Sequence, residues 1–197
     1  MQREMFILFA YLFWHSFAIQ IDCNTTETIN EDHIHLCCKH PDGHNELIAN
    51  CAKKHHFKLP NDKEQSLIDL TADRAIAGTC FAQCVFKDLH FMSSNSLDMA
   101  AVRKHFQQTY AADAEYAKEM INAFDHCHGK SEDSAAQFSQ LFIHSNKEHC
   151  DPKPSVILAC VIRDFFHNCP ANRWAKTPEC QQTLEFSKQC KDSLATL

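Results

Sequence analysis

Twelve cysteines constrain the fold of this chain more than any other feature, and all of them follow an apolar N-terminal segment. They lie at residues 23, 37, 38, 51, 80, 84, 127, 150, 160, 169, 180 and 190. An even number spread over 197 residues is typical of a set of disulfides, and disulfides persist in oxidising compartments. The sequence therefore predicts a cross-linked, secreted, extracellular protein, and it argues against a cysteine nucleophile.

The N-terminal segment is typical of a signal peptide over residues 1–18. Residues 6–17 are almost wholly apolar, and the small residues Ser16 and Ala18 precede a plausible cut after Ala18. This apolar run is too short to cross a bilayer as a helix. We therefore expect a cleaved leader, no membrane insertion and a single domain over residues 19–197.

Composition narrows the class of fold and partner. The chain has only 3 glycines and 6 prolines, which favours helices over a sheet-rich module with many turns. A net charge of -6 without a basic run argues against nucleic acid and anionic membranes as partners. The triplet Asn24-Thr25-Thr26 makes Asn24 a candidate N-glycosylation site.

Apolar spacing predicts an all-α chain. The predicted helices lie at about residues 45–56, 62–77, 79–91, 96–110, 113–128, 132–147, 155–168 and 178–194. Ser96 is a predicted N-cap, and Gly78 is a predicted helix end. The apolar run of residues 156–162 predicts a helix that is buried on every face.

The cysteine spacing favours long-range bridges. Cys80 and Cys84 are four residues apart, so they share one face of a helix. Cys160 and Cys169 point to opposite sides of a helix at about 100° per residue. The adjacent Cys37 and Cys38 would bond each other only with strain. Spacing alone leaves the connectivity open.

The spacing also resembles that of a known family. Cys51-x28-Cys80-x3-Cys84-x42-Cys127 resembles the first four cysteines of insect odorant-binding proteins. Cys160-x8-Cys169 resembles the fifth and sixth. The addition of Cys150, Pro170 and Cys180 resembles the Plus-C subclass of that family.

The resemblance implies a six-helix core at about residues 45–170 around a hydrophobic cavity, with extra N- and C-terminal segments. The C-terminal extension would cover residues 171–197. The implied bridges are Cys51–Cys84, Cys80–Cys160 and Cys127–Cys169, and Cys150–Cys180 is our expectation for a fourth. Cys127 and Cys150 could exchange roles, and Cys23, Cys37, Cys38 and Cys190 would form the last two bridges with partners left open.

The resemblance further implies a secreted carrier of small hydrophobic molecules, such as odorants, pheromones or other lipophilic ligands, for chemosensory transport. We expect no catalytic residue, metal or cofactor, and an odorant receptor or a second copy of the chain are candidate partners. The alternative is a disulfide-rich extracellular interaction protein with a filled core and a protein partner. Candidate cavity residues, each of which could equally serve ordinary core packing, are Phe86, Leu89, Phe91, Val102, Phe106, Tyr110, Tyr116, Met120, Phe124, Phe142, Val161 and Phe165.

Thirteen of the 14 histidines follow the leader. Histidine titrates near physiological pH. The resemblance to odorant-binding proteins suggests the hypothesis that acid loosens helix contacts and releases a ligand. Solvated surface histidines are the equally simple interpretation of the same composition.

Overall fold

Helices carry almost all of the regular structure in the computed structural model, which describes residues 33–41, 45–57, 59, 72–129, 131–140 and 149–189. The all-α, disulfide-cross-linked class is confirmed. In chain order, the helices are α1 (His33–Cys37), α2 (Asn45–Lys54), α3 (Ala72–Asp88), α4 (Met99–Thr109), α5 (Ala114–His128), α6 (Ser131–Gln140), α7 (Lys153–His167) and α8 (Pro178–Gln189). The six helices from α2 to α7 correspond to the expected core, and α1 and α8 flank it. No helix among these residues is both long and apolar enough to cross a membrane.

A short antiparallel hairpin connects α3 to α4. Its strands are β1 (Met92–Ser93) and β2 (Ser96–Leu97), and Ser94 and Asn95 have positive φ angles of 50° and 65°. Two left-handed residues suit a two-residue hairpin turn. Asp98 then caps α4, since its Oδ1 accepts from the backbone N–H groups of residues 100 and 101. The prediction of Ser96 as the cap is wrong, because the chain is still extended there.

Helix α3 passes through Gly78 without interruption, so the predicted helix end is wrong. A Cβ at Gly78 would lie 3.6 Å from Cε2 of Phe57, and Phe57 stacks on Phe81 with ring centroids 4.6 Å apart. Glycine here therefore lies beneath a packed aromatic ring. Tertiary packing outweighs the modest cost of a glycine inside a helix.

Helix α7 packs against α3, α5, α6 and α8. Ile157, Val161 and Phe165 follow one another at four-residue spacing and are no more than 1% exposed. Ile162 is 40% exposed, so the prediction of a helix buried on every face is wrong. The helix instead has one deeply buried stripe and an apolar residue left at the surface.

All ten described cysteines form bridges: Cys37–Cys180, Cys38–Cys169, Cys51–Cys84, Cys80–Cys150 and Cys127–Cys160. Cys51 is bonded to Cys84, as the resemblance implies. The other implied pairs, Cys80–Cys160, Cys127–Cys169 and Cys150–Cys180, are wrong, as is an exchange between Cys127 and Cys150. Cys37 bonds to Cys180 and Cys38 to Cys169. The expectation that both pair within the group Cys23, Cys37, Cys38 and Cys190 is therefore wrong. Cys23, Cys190 and Asn24 lie outside the described residues, as does the predicted leader.

The error in the pairing is a shift by one cysteine. The order first to third, second to fifth and fourth to sixth is kept when Cys150 and Cys160 take the fifth and sixth positions. Helix α7 packs against α5, so Cys160 meets Cys127 directly, while Cys150 precedes α7 and reaches α3. Cys169, which follows the end of α7, forms its disulfide with Cys38.

The two flanking segments are joined to each other, and we call residues 37–40 and 169–180 the terminal clasp. Two disulfides, Cys37–Cys180 and Cys38–Cys169, connect them. Backbone hydrogen bonds add to this, because Ala175 N–H donates to the carbonyl of Cys37 at 2.8 Å. The terminal clasp therefore lies as a fixed layer beside the helical core.

Candidate functional site

Aromatic rings from four helices and from the connections that follow α3 and α4 meet in the core, and we call this set the aromatic cluster. Phe86 lies on α3, Phe106 on α4 and Phe165 on α7, while α5 supplies two rings. Neighbouring centroids are 4.8–6.2 Å apart and most pairs are tilted or edge-to-face, the preferred geometry for aromatic contacts. The members are Phe86, Phe91, Phe106, Tyr110, Tyr116, Phe124 and Phe165.

The structure places eleven of the twelve candidate cavity residues in one continuous apolar core. Nine are buried: Phe86, Phe91, Val102, Phe106, Tyr116, Met120, Phe124, Val161 and Phe165. Leu89 and Tyr110 are half-buried and pack against that core. Phe142 lies outside the described residues. The role of these residues as ligand contacts stays a prediction.

One end of the aromatic cluster is polar, and it is formed where the terminal clasp meets Tyr116 of α5. The hydroxyl of Tyr116 lies 3.1 Å from Nδ1 of His40, and the His40 ring lies 4.8 Å from that of Phe165. The guanidinium of Arg173 lies over the Tyr116 ring, 4.9 Å from its centroid. A cation over an aromatic face is an attractive contact. We call His40, Tyr116 and Arg173 the polar end.

Arg173 is held by two further contacts. It pairs with the carboxylate of Asp113, the residue that also caps α5 by accepting from Tyr116 N–H at 3.2 Å. Its Nη1 donates to the carbonyl of Lys39 at 2.9 Å. Its Nε is buried and has no hydrogen-bond partner.

The tyrosines of this site are held neutral. Burial raises the pKa of Tyr116 strongly, and neighbouring Tyr110 raises it further. Burial also raises the pKa of Tyr110. Both phenols therefore remain hydrogen-bonding groups without charge at any physiological pH.

Sequence reasoning missed His40 and Arg173 as neighbours of the candidate site. Neither belongs to an apolar helical stripe, and 76 residues separate His40 from Tyr116. The signal that could have found them is the Cys38–Cys169 bridge, which brings both segments to the end of α7. That bridge could not be deduced from spacing.

Two further histidines and one group of possible metal ligands make local contacts away from the aromatic cluster. His126 Nδ1 lies 2.7 Å from Asp164, and His167 Nε2 lies 2.7 Å from the Ser187 hydroxyl. Among the described residues, Cys51, Cys84 and Asp88 group their ligand atoms within 4.8 Å. The two sulfurs are bonded to each other, so they are not thiolate ligands. The pH response of the histidines stays a prediction.

Comparison with known proteins gives one consistent result. The family model described as AgamOBP47-like matches residues 43–186. "General odorant-binding protein 67" of Anopheles gambiae is 25% identical over 170 residues, covering 86% of this chain and 78% of that protein. "General odorant-binding protein 68" of the same mosquito is 24% identical over 178 residues, covering 89% and 78%. "Odorant-binding protein 47" is 24% identical over 120 residues, covering 57% and 52%.

Proposed function

The chain belongs to the AgamOBP47-like family of insect odorant-binding proteins, and we propose that it carries small hydrophobic molecules in an interior lined by the aromatic cluster. The Plus-C resemblance is consistent with this family. The relatives are described as odorant-binding proteins, which are binders rather than catalysts. We therefore propose a carrier without enzymatic activity, with chemosensory transport as its role.

The observation that carries the proposal is the aromatic cluster itself. Rings from helices that are far apart in sequence converge there, and the bridges Cys80–Cys150 and Cys127–Cys160 tie those helices together beside it. Apolar burial stabilises a bound molecule by roughly 25 cal/mol per Å². Hiding about 300 Å² would contribute about 7.5 kcal/mol before the cost of ordering the ligand, compared with the ~8 kcal/mol of a micromolar dissociation constant.

We propose that the protein works outside the cell. Five disulfides among the described residues suit an oxidising compartment. Residues 1–18 would be removed as a signal peptide, leaving residues 19–197 as a single secreted domain. An odorant receptor and a second copy of the chain remain candidate partners of the loaded carrier.

Fluorescence titration with a phenyl-naphthylamine probe tests the proposal. We expect saturable binding of one probe per chain, with a large rise in emission as the probe enters an apolar site. The variant Phe106→Leu removes a ring from the aromatic cluster and should weaken probe binding several-fold. Phe81→Leu is the matched control, because Phe81 is equally buried but stacks on Phe57 instead.

The control separates binding from stability, since both variants lose one buried ring of the same kind. Weak, non-saturable binding by the wild type would reject the carrier proposal. That result would favour the alternative, an extracellular interaction protein with a filled core. Equal weakening in both variants would show that the aromatic cluster is not where the probe binds.

A further inference from the structure

Arg173 holds a donor that the protein itself does not use. Its Nε is the one buried side-chain nitrogen or oxygen without a hydrogen-bond partner in the part of the chain that the structure describes. The other end of the guanidinium is engaged with Asp113 and with the Lys39 carbonyl. A buried donor left without an acceptor costs free energy. Nε–H can therefore donate a hydrogen bond to an acceptor atom of a bound molecule.

The position of this donor relates it to the proposed ligand site. The Arg173 side chain is only 15% exposed, and its guanidinium lies over the ring of Tyr116. Tyr116 also contacts the rings of Phe106, Tyr110 and Phe165, so aromatic contacts continue from the polar end into the aromatic cluster. A ligand whose apolar chain lies among these rings could place one polar atom beside Arg173.

The local charge indicates which acceptor fits. Asp113 already pairs with Arg173, so the positive charge of the guanidinium is offset. A ligand carboxylate would bring a second negative charge close to Asp113, in a half-buried place where like charges repel strongly. A neutral oxygen would accept from Nε–H without that cost.

We propose, on the basis of the proposed carrier function, that the polar end anchors ligands through a neutral carbonyl oxygen. The carbonyl of an apolar ester, ketone or aldehyde accepts from Nε–H of Arg173, and the chain of the ligand packs against Phe106 and Phe165. The protein would thus select for ligands with one neutral acceptor at an end, over ligands of equal size with a carboxylate.

Competition titrations with the phenyl-naphthylamine probe test this anchor. The probe has no oxygen acceptor and reports the apolar site alone, while methyl decanoate supplies a neutral carbonyl and decanoate a carboxylate. Arg173→Lys keeps a positive charge for Asp113 but lacks a donor at the Nε position. Arg103→Lys is the matched control, since Arg103 makes a two-bond pair with Asp125 at an exposed place, at 2.7 and 2.9 Å.

We expect Arg173→Lys to weaken methyl decanoate about tenfold, which is the size of one hydrogen bond from a charged donor. Arg173→Lys should weaken the ester far more than the probe, and Arg103→Lys should bind both molecules as the wild type does. Equal affinity for the ester in wild type and Arg173→Lys would overturn the anchor, and would indicate that the Tyr116 ring satisfies Nε–H instead. Failure of the wild type to bind the probe and the ester would reject the carrier function together with the anchor.

A second variant keeps the test decisive if Arg173→Lys does not fold. Asp113→Asn retains an oxygen that can cap α5 and removes the negative charge beside Arg173. We expect wild type to prefer methyl decanoate over decanoate, and Asp113→Asn to bind decanoate several-fold more tightly than wild type does. A wild type that prefers decanoate, or an Asp113→Asn variant without gain for decanoate, would contradict the neutral-acceptor proposal.

Discussion

Tyr116 links the helical core to the terminal clasp. Its ring belongs to the aromatic cluster, its hydroxyl meets His40, and Arg173 covers its face. The backbone N–H of the same residue donates to Oδ1 of Asp113, the residue that caps α5. One side chain thus connects apolar packing, a hydrogen bond and a charge contact, and it is the position where a single substitution reports on the whole site.

Burial of the Tyr110 and Tyr116 side chains predicts that both ionise only at strongly alkaline pH, as the protein unfolds. After the proposed leader, Tyr110 and Tyr116 are the only tyrosines of the chain. Both pKa values are raised in the folded state, chiefly by burial. An unfolded chain loses these protons near pH 10, so the stabilising contribution is complete below about pH 10 and is lost as pH rises above it. Phenolate absorbance should therefore increase together with the loss of helical circular dichroism.

The variant Tyr116→Phe supplies the control for this titration. It leaves Tyr110 as the single phenol, so the steep increase coupled to unfolding should shrink by about half or more. Two phenolates that appear near pH 10 while the helices remain intact would contradict the burial of Tyr116 that the account requires.

At the scale of elements, Asp113 is expected to do more than an ordinary helix cap. Asp98 caps α4 by accepting two backbone N–H groups, while Asp113 caps α5 and also pairs with Arg173. Asp98→Ala should lower the free energy of unfolding by about 1 kcal/mol. Asp113→Ala should lower it by about 2–3 kcal/mol, because a half-buried guanidinium also loses its partner. Urea unfolding followed by circular dichroism measures both.

The conservative variant separates the two roles of Asp113. Asp113→Asn can still cap, so its loss of stability should lie between wild type and Asp113→Ala. An Asp113→Ala variant that is no less stable than Asp98→Ala would show that the contact with Arg173 contributes nothing to folding.

Helix bounds could be predicted from sequence where apolar periodicity sets them. They could not be predicted where tertiary contacts set them. The stripes Val102–Phe106–Tyr110 and Tyr116–Met120–Phe124 gave α4 and α5 close to their observed bounds. Gly78 is a typical helix end by sequence, but α3 continues past it, and the residue lies beneath the packed ring of Phe57. Ser96 and Asp98 are both acceptable caps, and only the hairpin register shows which one is used.

At the scale of the whole molecule, disulfide connectivity fixes which segments can form the site. The cysteine spacing identified the family correctly, yet it placed the fifth and sixth cysteines one position too late. Because of that shift, the contact between the two segments of the terminal clasp was not predicted, and His40 and Arg173 were not placed at the site. Spacing carries no information on which side of α7 a cysteine meets its partner, so only the packed structure could assign these pairs.

Disulfide mapping by mass spectrometry tests this connectivity. Proteolysis of the unreduced protein with cleavage after Phe81 separates Cys80 from Cys84. We expect linked peptides for Cys80–Cys150 and Cys127–Cys160, with Cys51–Cys84 as the internal reference. Peptides that join Cys80 to Cys160 would contradict the packing of α7 against α5 described above.

The carrier account depends on an interior that admits a small apolar molecule while the bridges hold the helices in place. Native mass spectrometry of the oxidised chain, mixed with the phenyl-naphthylamine probe, measures this most directly. We predict a complex with one probe per protein, which disappears when the disulfides are fully reduced. An oxidised protein that stays free of probe, or a reduced protein that binds it equally well, would contradict the account.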